Sequence, residues 1–278
     1  MSRKFRVAGI QMVSTPDVEQ NLAAAAELVA RAAGEGAVLV ALPEYFCILG
    51  TRDIDKVAAR EHFVPGFNAG PIQEFLAQTA ARHKIWLVGG TVPIDCGSAE
   101  RIRNTCLVYD SDGGLAARYD KIHLFGFRSV REDGEVEQFD ESRTILHGDN
   151  PPMALASPFG RLGLSVCYDL RFPELYRALG EADLIFVPSA FTATTGRAHW
   201  EPLLRARAIE NLAYVLAPAQ GGTHINGRRT HGHTMLVDPW GEVRAELADG
   251  AGVVVGEVDL DHVAACRKSL PALSHRTI

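Results

Sequence analysis

Continuous apolar runs of strand length alternate with segments of helical period along this chain, and the alternation is run through twice. Residues 37–42 (AVLVAL) and 184–187 (LIFV) carry no polar face, as in strands covered on both sides. Around them, apolar side chains recur at helical spacing. Val18, Leu22, Ala25, Val29 and Ala33 mark one helical face, which Thr15-Pro16-Asp17 opens and Gly34 and Gly36 close. In the first half, further strands are expected at 5–12 and 85–91, a helix at 71–83, and a hairpin of 104–109 and 115–119 around Ser111-Asp112-Gly113-Gly114. The second half repeats the grammar: strands at 153–157 and 162–166, a helix at 173–179, the strand at 184–187 and a helix at 198–212. Strands at 214–217, 234–237, 243–247 and 253–258 complete it. This order points to an α/β protein with a duplicated sheet architecture. No linker separates the halves, so residues 1–278 read as one domain. Residues 126–152 are polar and read as one long loop, a feature that in compact domains usually serves function.

Composition removes several classes of function. With 278 residues, 47% of them apolar, the chain can bury a core and is not disordered. Its net charge is −6 and the densest basic cluster is the pair Arg228-Arg229, so no footprint for nucleic acid is visible. The most apolar stretch, 22–33, is broken by Glu27 and Arg31, well short of the roughly 18 residues a membrane span needs. The first residues lack the apolar core and cleavage site of a signal peptide, and the expected location is the cytoplasm. Five cysteines (47, 96, 106, 167 and 266) are odd in number and form no C-x-x-C pair, so each is judged as a free thiol.

Ligands of α/β folds gather at the carboxyl ends of strands. Three buried runs end there in polar residues: Glu44 after AVLVALP, Cys167 after LGLSV, and Ser189 after LIFVP. Glu44 is placed to act as a general base, although a lone glutamate at a strand end also reads as a cap. Cys167 lies on a strand-to-helix turn whose backbone N–H groups would favour a thiolate and hold an oxyanion; a buried core cysteine is the alternative. Lys121, where the hairpin strand runs out into the long loop, would lower a neighbouring thiol's pKa, whereas most lysines are simply solvated. None of the three is specific alone.

Together they are. The ordered set P-E at 43–44, Y-D-K-I-H-L-F at 119–125 and C-Y-D-L-R-F-P-E at 167–174 resembles the nitrilase superfamily of carbon–nitrogen hydrolases. P-S-A-F at 188–191, H-W-E-P-L-L-R-A-R-A-I-E-N at 199–211 and G-H-T-M-L-V-D-P-W-G at 232–241 extend the likeness over almost the whole chain. The resemblance implies a four-layer αββα sandwich with a Glu-Lys-Cys catalytic set. By that analogy Cys167 is the nucleophile, Glu44 the general base, and Lys121 with the backbone N–H of Tyr168 the holder of the oxyanion. A second glutamate of the family, which orients the lysine, matches Glu141, with Glu137 close enough to leave the register open. The chemistry would run through a thioester, releasing ammonia or an amine first and the acid second, with no cofactor and no metal.

The combination of C-Y-D-L-R-F-P-E with S-A-F-T-A-T-T-G-R-A-H-W looks most like the Nit-type branch, which holds omega-amidases and deaminated glutathione amidases. A small anionic amide is then the expected substrate, with water as co-substrate. Arg171 is its candidate anchor, with an ion pair to Asp169 or Glu174 as the alternative role, and Phe191 and Thr195 are candidate pocket walls. Trp200 reads as core, and Arg205 and Arg207 as packing residues. Residues 221–224 read as a flexible loop, and His231-Gly232-His233 with His224 lacks a convincing third metal ligand. An N-carbamoyl or aliphatic amide hydrolase is the alternative within enzymes, a true nitrilase comes third, and a partner-binding protein without turnover is the alternative of another class. The resemblance also implies a homodimer or larger assembly using the helix after Cys167 and the tail 269–278.

Overall fold

The computed structural model describes residues 3–130, 134 and 136–277. In chain order the first half contains β1 (Lys4–Gln11), α1 (Val18–Gly34), β2 (Leu39–Ala41), α2 (Asp55–Ala58), α3 (Pro71–His83), β3 (Trp86–Val88), β4 (Val92–Asp95), β5 (Ile102–Tyr109) and β6 (Leu115–Asp120). After β7 (Gly126–Val130) and β8 (Val136–Asp140) come β9 (Leu155–Ser157), β10 (Gly160–Leu164), α4 (Pro173–Ala178), β11 (Leu184–Phe186), α5 (Ala193–Asn211) and β12 (Tyr214–Ala217). The chain finishes with β13 (Gly221–Thr223), β14 (Arg229–His231), β15 (Thr234–Val237), β16 (Val243–Leu247), β17 (Gly252–Asp259) and α6 (Leu260–Ser269).

Two sheets form the centre. One has the order β17-β1-β2-β3-β5-β4 with β6 against β5, and the other β16-β15-β12-β11-β10-β9. Each is built around three parallel strands, β1-β2-β3 and β10-β11-β12, with antiparallel strands on both sides. Side-chain alternation makes the layers. In the first sheet Val7, Leu39, Ala41, Val88 and Val108 point into the core shared with the second sheet, while Ala8, Ile10, Val40, Leu87 and Leu107 pack with Ala25, Val29, Ile72 and Leu76 of α1 and α3. Trp200, Leu204 and Ala208 bring α5 against the other face of the second sheet. The result is the expected four-layer αββα sandwich.

The structure corrects the sequence reading in three places. Residues 126–152 hold β7 and β8, paired over five positions. Residues 221–223 form a strand against Arg229–His231 and not a flexible loop. The helix expected from 198 begins at Ala193, where the Thr192 side chain accepts the Thr195 N–H at 3.2 Å and caps it.

Candidate active site

Glu44 lies three residues beyond β2, on a turn held from several sides. The Gln220 side chain donates to the Glu44 carbonyl at 3.1 Å, and the Tyr45 N–H donates to Thr91 Oγ1 at 2.9 Å. Gly90 (φ +54°) backs the turn so closely that a Cβ there would lie 2.1 Å from the Pro43 carbonyl oxygen, so only glycine fits. Tyr45 itself is left-handed, with φ +57°. The buried Glu44 carboxylate accepts from Asn104 Nδ2 at 3.0 Å and from Lys121 Nζ at 2.8 Å.

Lys121 follows β6 directly, and its N–H bonds to the Asn104 carbonyl at 3.0 Å. Its ammonium is fully buried between two carboxylates: Glu44, and Glu141 at 2.8 and 3.0 Å. Glu141 opens a 3₁₀ turn after β8 and also accepts the Tyr45 hydroxyl and the Phe125 N–H, both at 2.7 Å. Glu141 therefore meets the lysine as the sequence match expects; Glu137 falls on β8, and its side chain lies outside the described residues. Burial pulls Lys121 toward its neutral form, but the charges of Glu141 and Glu44 outweigh it and raise its pKa. Burial likewise opposes the ionisation of Glu141, but Lys121 and then Lys56 hold its pKa down.

Cys167 stands three residues beyond β10, with φ +49°, a conformation that a side chain with a Cβ seldom adopts. Its N–H donates to the Pro188 carbonyl at 2.9 Å. Asp169, with no exposed surface, ties the turn to the strand end that carries Lys121: it accepts the Val166 N–H (2.9 Å), the Tyr119 hydroxyl (2.7 Å) and the His123 N–H (2.9 Å), and lies 2.8 Å from His123 Nδ1. Arg207 of α5 closes the other end by donating twice to the Leu170 carbonyl. The thiol departs from the expected thiolate. Burial pushes its pKa well above the ordinary value, Glu44 adds to the rise, and Lys121 and the Ala190 N–H only partly oppose it. Burial is the leading cause, and the negative charges of Glu44 and Glu141 offset what the Lys121 ammonium contributes.

Glu44, Glu141 and Cys167 line one narrow cavity with Tyr168, Arg171, Phe191 and Thr195, while Lys121 stands behind its wall, bonded to both glutamates. Arg171 makes no ion pair with Asp169 or Glu174. It meets His199 Nδ1 at 3.2 Å and lies over the rings of Phe191 (5.4 Å) and Tyr168 (5.7 Å). Trp200 is core, packed on Phe191, and donates its indole N–H to the His233 carbonyl. Among the described residues no His, Cys, Asp and Glu group could hold a metal ion, and no helix is long and apolar enough to cross a membrane. Sequence reasoning missed Asn104, Tyr45, Asp169 and Arg228. Arg228 also lines the cavity, and the signal was present in the basic pair at 228–229.

A carboxylate–ammonium–carboxylate cluster beside a buried thiol, set between two sheets with helices outside, defines a cysteine hydrolase of the nitrilase type. The chain belongs to the carbon–nitrogen hydrolase family, whose sequence profile matches residues 6–268. Within it, the chain is 41% identical to the deaminated glutathione amidase of Synechocystis sp., over 99% of this chain and 98% of that protein. It is 39% identical to the Homo sapiens protein of the same name, over 97% and 81%. Among solved structures, the Caenorhabditis elegans NitFhit protein superposes with a TM-score of 0.85 at 38% identity, covering 99% of this chain and 65% of that one. Saccharomyces cerevisiae Nit3, a member of branch 10 of the nitrilase superfamily, gives 0.85 at 30% identity, covering 96% and 94%.

Proposed function

We propose that residues 1–278 act as one amidase domain that cleaves the amide of a small anionic substrate, deaminated glutathione or a 2-oxo acid amide, through a thioester on Cys167. The observation that carries this is the convergence of Glu44, Lys121 and Glu141 by hydrogen bonds of 2.8 to 3.0 Å beside the thiol. The names of the relatives supply the substrate class.

The protonated resting thiol defines the first step. As Sγ attacks the amide carbon, its proton passes to Glu44, so no free thiolate has to be stored. The carbonyl oxygen becomes an oxyanion facing the Lys121 ammonium and the Tyr168 N–H. Collapse breaks the C–N bond, and Glu44 returns the proton to the departing nitrogen. Glu44 then deprotonates water, which attacks the thioester and frees the acid and the thiol. Glu141 keeps Lys121 charged and in place. For a 2-oxo acid amide the departing group is ammonia; for deaminated glutathione it is the amine of cysteinylglycine.

The test follows both leaving groups. Purified protein is expected to free ammonia from 2-oxoglutaramate or cysteinylglycine from deaminated glutathione, with Cys167→Ala inactive and an acyl adduct on Cys167 visible by mass spectrometry. Turnover of a carbamoyl amino acid alone would move the protein to another amidase branch. Silence on all substrates with an unreactive Cys167 would favour a binding protein. We also propose self-association, supported by the exposed Ile209, Trp240 and Leu270, and a cytoplasmic location.

A further inference from the structure

The cavity at Cys167 has a volume of about 10 Å³, room for a water-sized group. At Arg228 it adjoins a second cavity of about 390 Å³, the size of a ligand site. Among the described residues, five cations line this outer space, Arg52, Lys56, Arg197, Arg228 and Arg229, against one acid, Asp53. Arg52 is met by Asp55 at 3.1 Å, and Lys56 approaches Asp53 only at 4.0 Å. Among the described residues, no carboxylate pairs with Arg197, Arg228 or Arg229.

Two of these cations are held out of water. The Lys56 side chain is 12% exposed, with its ammonium 5.1 Å from the Tyr45 ring centroid. Arg228 donates from Nη2 to the Ala190 carbonyl at 2.7 Å, and its guanidinium lies over Phe139, but its buried Nε has no hydrogen-bond partner among the described residues. A buried donor without an acceptor and a desolvated ammonium are costly unless an anion completes them.

We propose that the outer cavity is a carboxylate-recognition vestibule for an extended, multiply charged amide. Lys56, Arg197, Arg228 and Arg229 hold its distal carboxylate while the scissile amide enters the narrow space at Cys167. This rests on the amidase reading and deepens it, because it selects a peptide of tripeptide length over a short 2-oxo acid amide. A short 2-oxo acid amide has a single carboxylate, on the acyl side of the amide and common to both substrates, and nothing beyond the amide nitrogen to meet the outer cations. In a long one, contacts remote from the reacting bond fix the position of the amide.

The test compares deaminated glutathione, its C-terminal carboxamide and 2-oxoglutaramate on the full chain, on Lys56→Met and on the double variant Arg197→Gln/Arg229→Gln. Both arginines of the double variant are exposed, so it guards against a folding defect in Lys56→Met. The ratio of kcat/KM for deaminated glutathione over 2-oxoglutaramate is expected to fall at least about tenfold in either variant, mainly through KM. The carboxamide should lose a similar factor on the parent protein and little more on the variants. Calorimetry on Cys167→Ala reads the same selection without turnover: the acid should bind about tenfold tighter than the carboxamide. Equal binding of the two, or an unchanged ratio in both variants, overturns the vestibule whatever the activity. Selective binding without hydrolysis of any substrate would keep the vestibule and overturn the amidase reading.

Discussion

Lys121 carries two tasks that pull in opposite directions, since a charge neutralised by two carboxylates does little to acidify a neighbouring thiol. Glu44→Gln should therefore separate proton transfer from thiol acidity. The variant is expected to lose about 10²- to 10⁴-fold in kcat for want of the proposed base. Its Cys167 should titrate at lower pH, because the Glu44 charge that raises the thiol pKa is gone; the pH profile of alkylation by iodoacetamide checks the sign. Lys121→Met leaves Glu44 and Glu141 facing each other, buried and uncompensated. It should cost about 3–5 kcal/mol in urea unfolding. Glu44, Lys121 and Cys167 were legible in the sequence because each stands where a strand runs out. Arg228 was visible only as one of a basic pair that looks like ordinary surface charge, because a buried guanidinium nitrogen without a partner among the described residues is a property of three segments meeting.

At the scale of elements, the interior dictates its own reading. Strands covered on both faces have no freedom in composition, so the strands around residues 40, 185 and 215 appear where the apolar runs stand, and α3 spans Pro71–His83 as its period predicts. The departures lie at the rim. Among the described residues β7 and β8 pair with each other alone, so neither carries an apolar run that would announce it. The first turn of α5 is written in Thr, Ala and Gly, a loop-like composition that the Thr192 cap and contact with β14 override. Gly196 marks that contact: a Cβ there would lie 2.2 Å from Cγ of His231. Gly196→Ala is accordingly expected to destabilise the protein by about 1–3 kcal/mol, despite the better helix propensity of alanine, as thermal or urea unfolding will read.

In the whole molecule, the last strand completes the sheet that the first one begins. β17 lies antiparallel to β1 over eight paired positions and brings Val254 and Val258 into the buried interior. A chain ending at residue 251 would bare the length of β1 as an open edge, and is expected to be recovered as aggregate, without the cooperative urea transition of the full chain. The two sheets also invite a comparison of descent. Three residues beyond β1, β2, β10 and β11 stand Ser14, Glu44, Cys167 and Ser189, and the approach to Glu44 (Leu42-Pro43) is matched by Val187-Pro188 before Ser189. Taken as two copies of one strand–helix unit, each has specialised: one kept the acid and holds a serine where its twin has the thiol, and the other did the reverse. On the proposed mechanism a solitary copy, however well folded, would be chemically silent, and the reaction belongs to the seam between them.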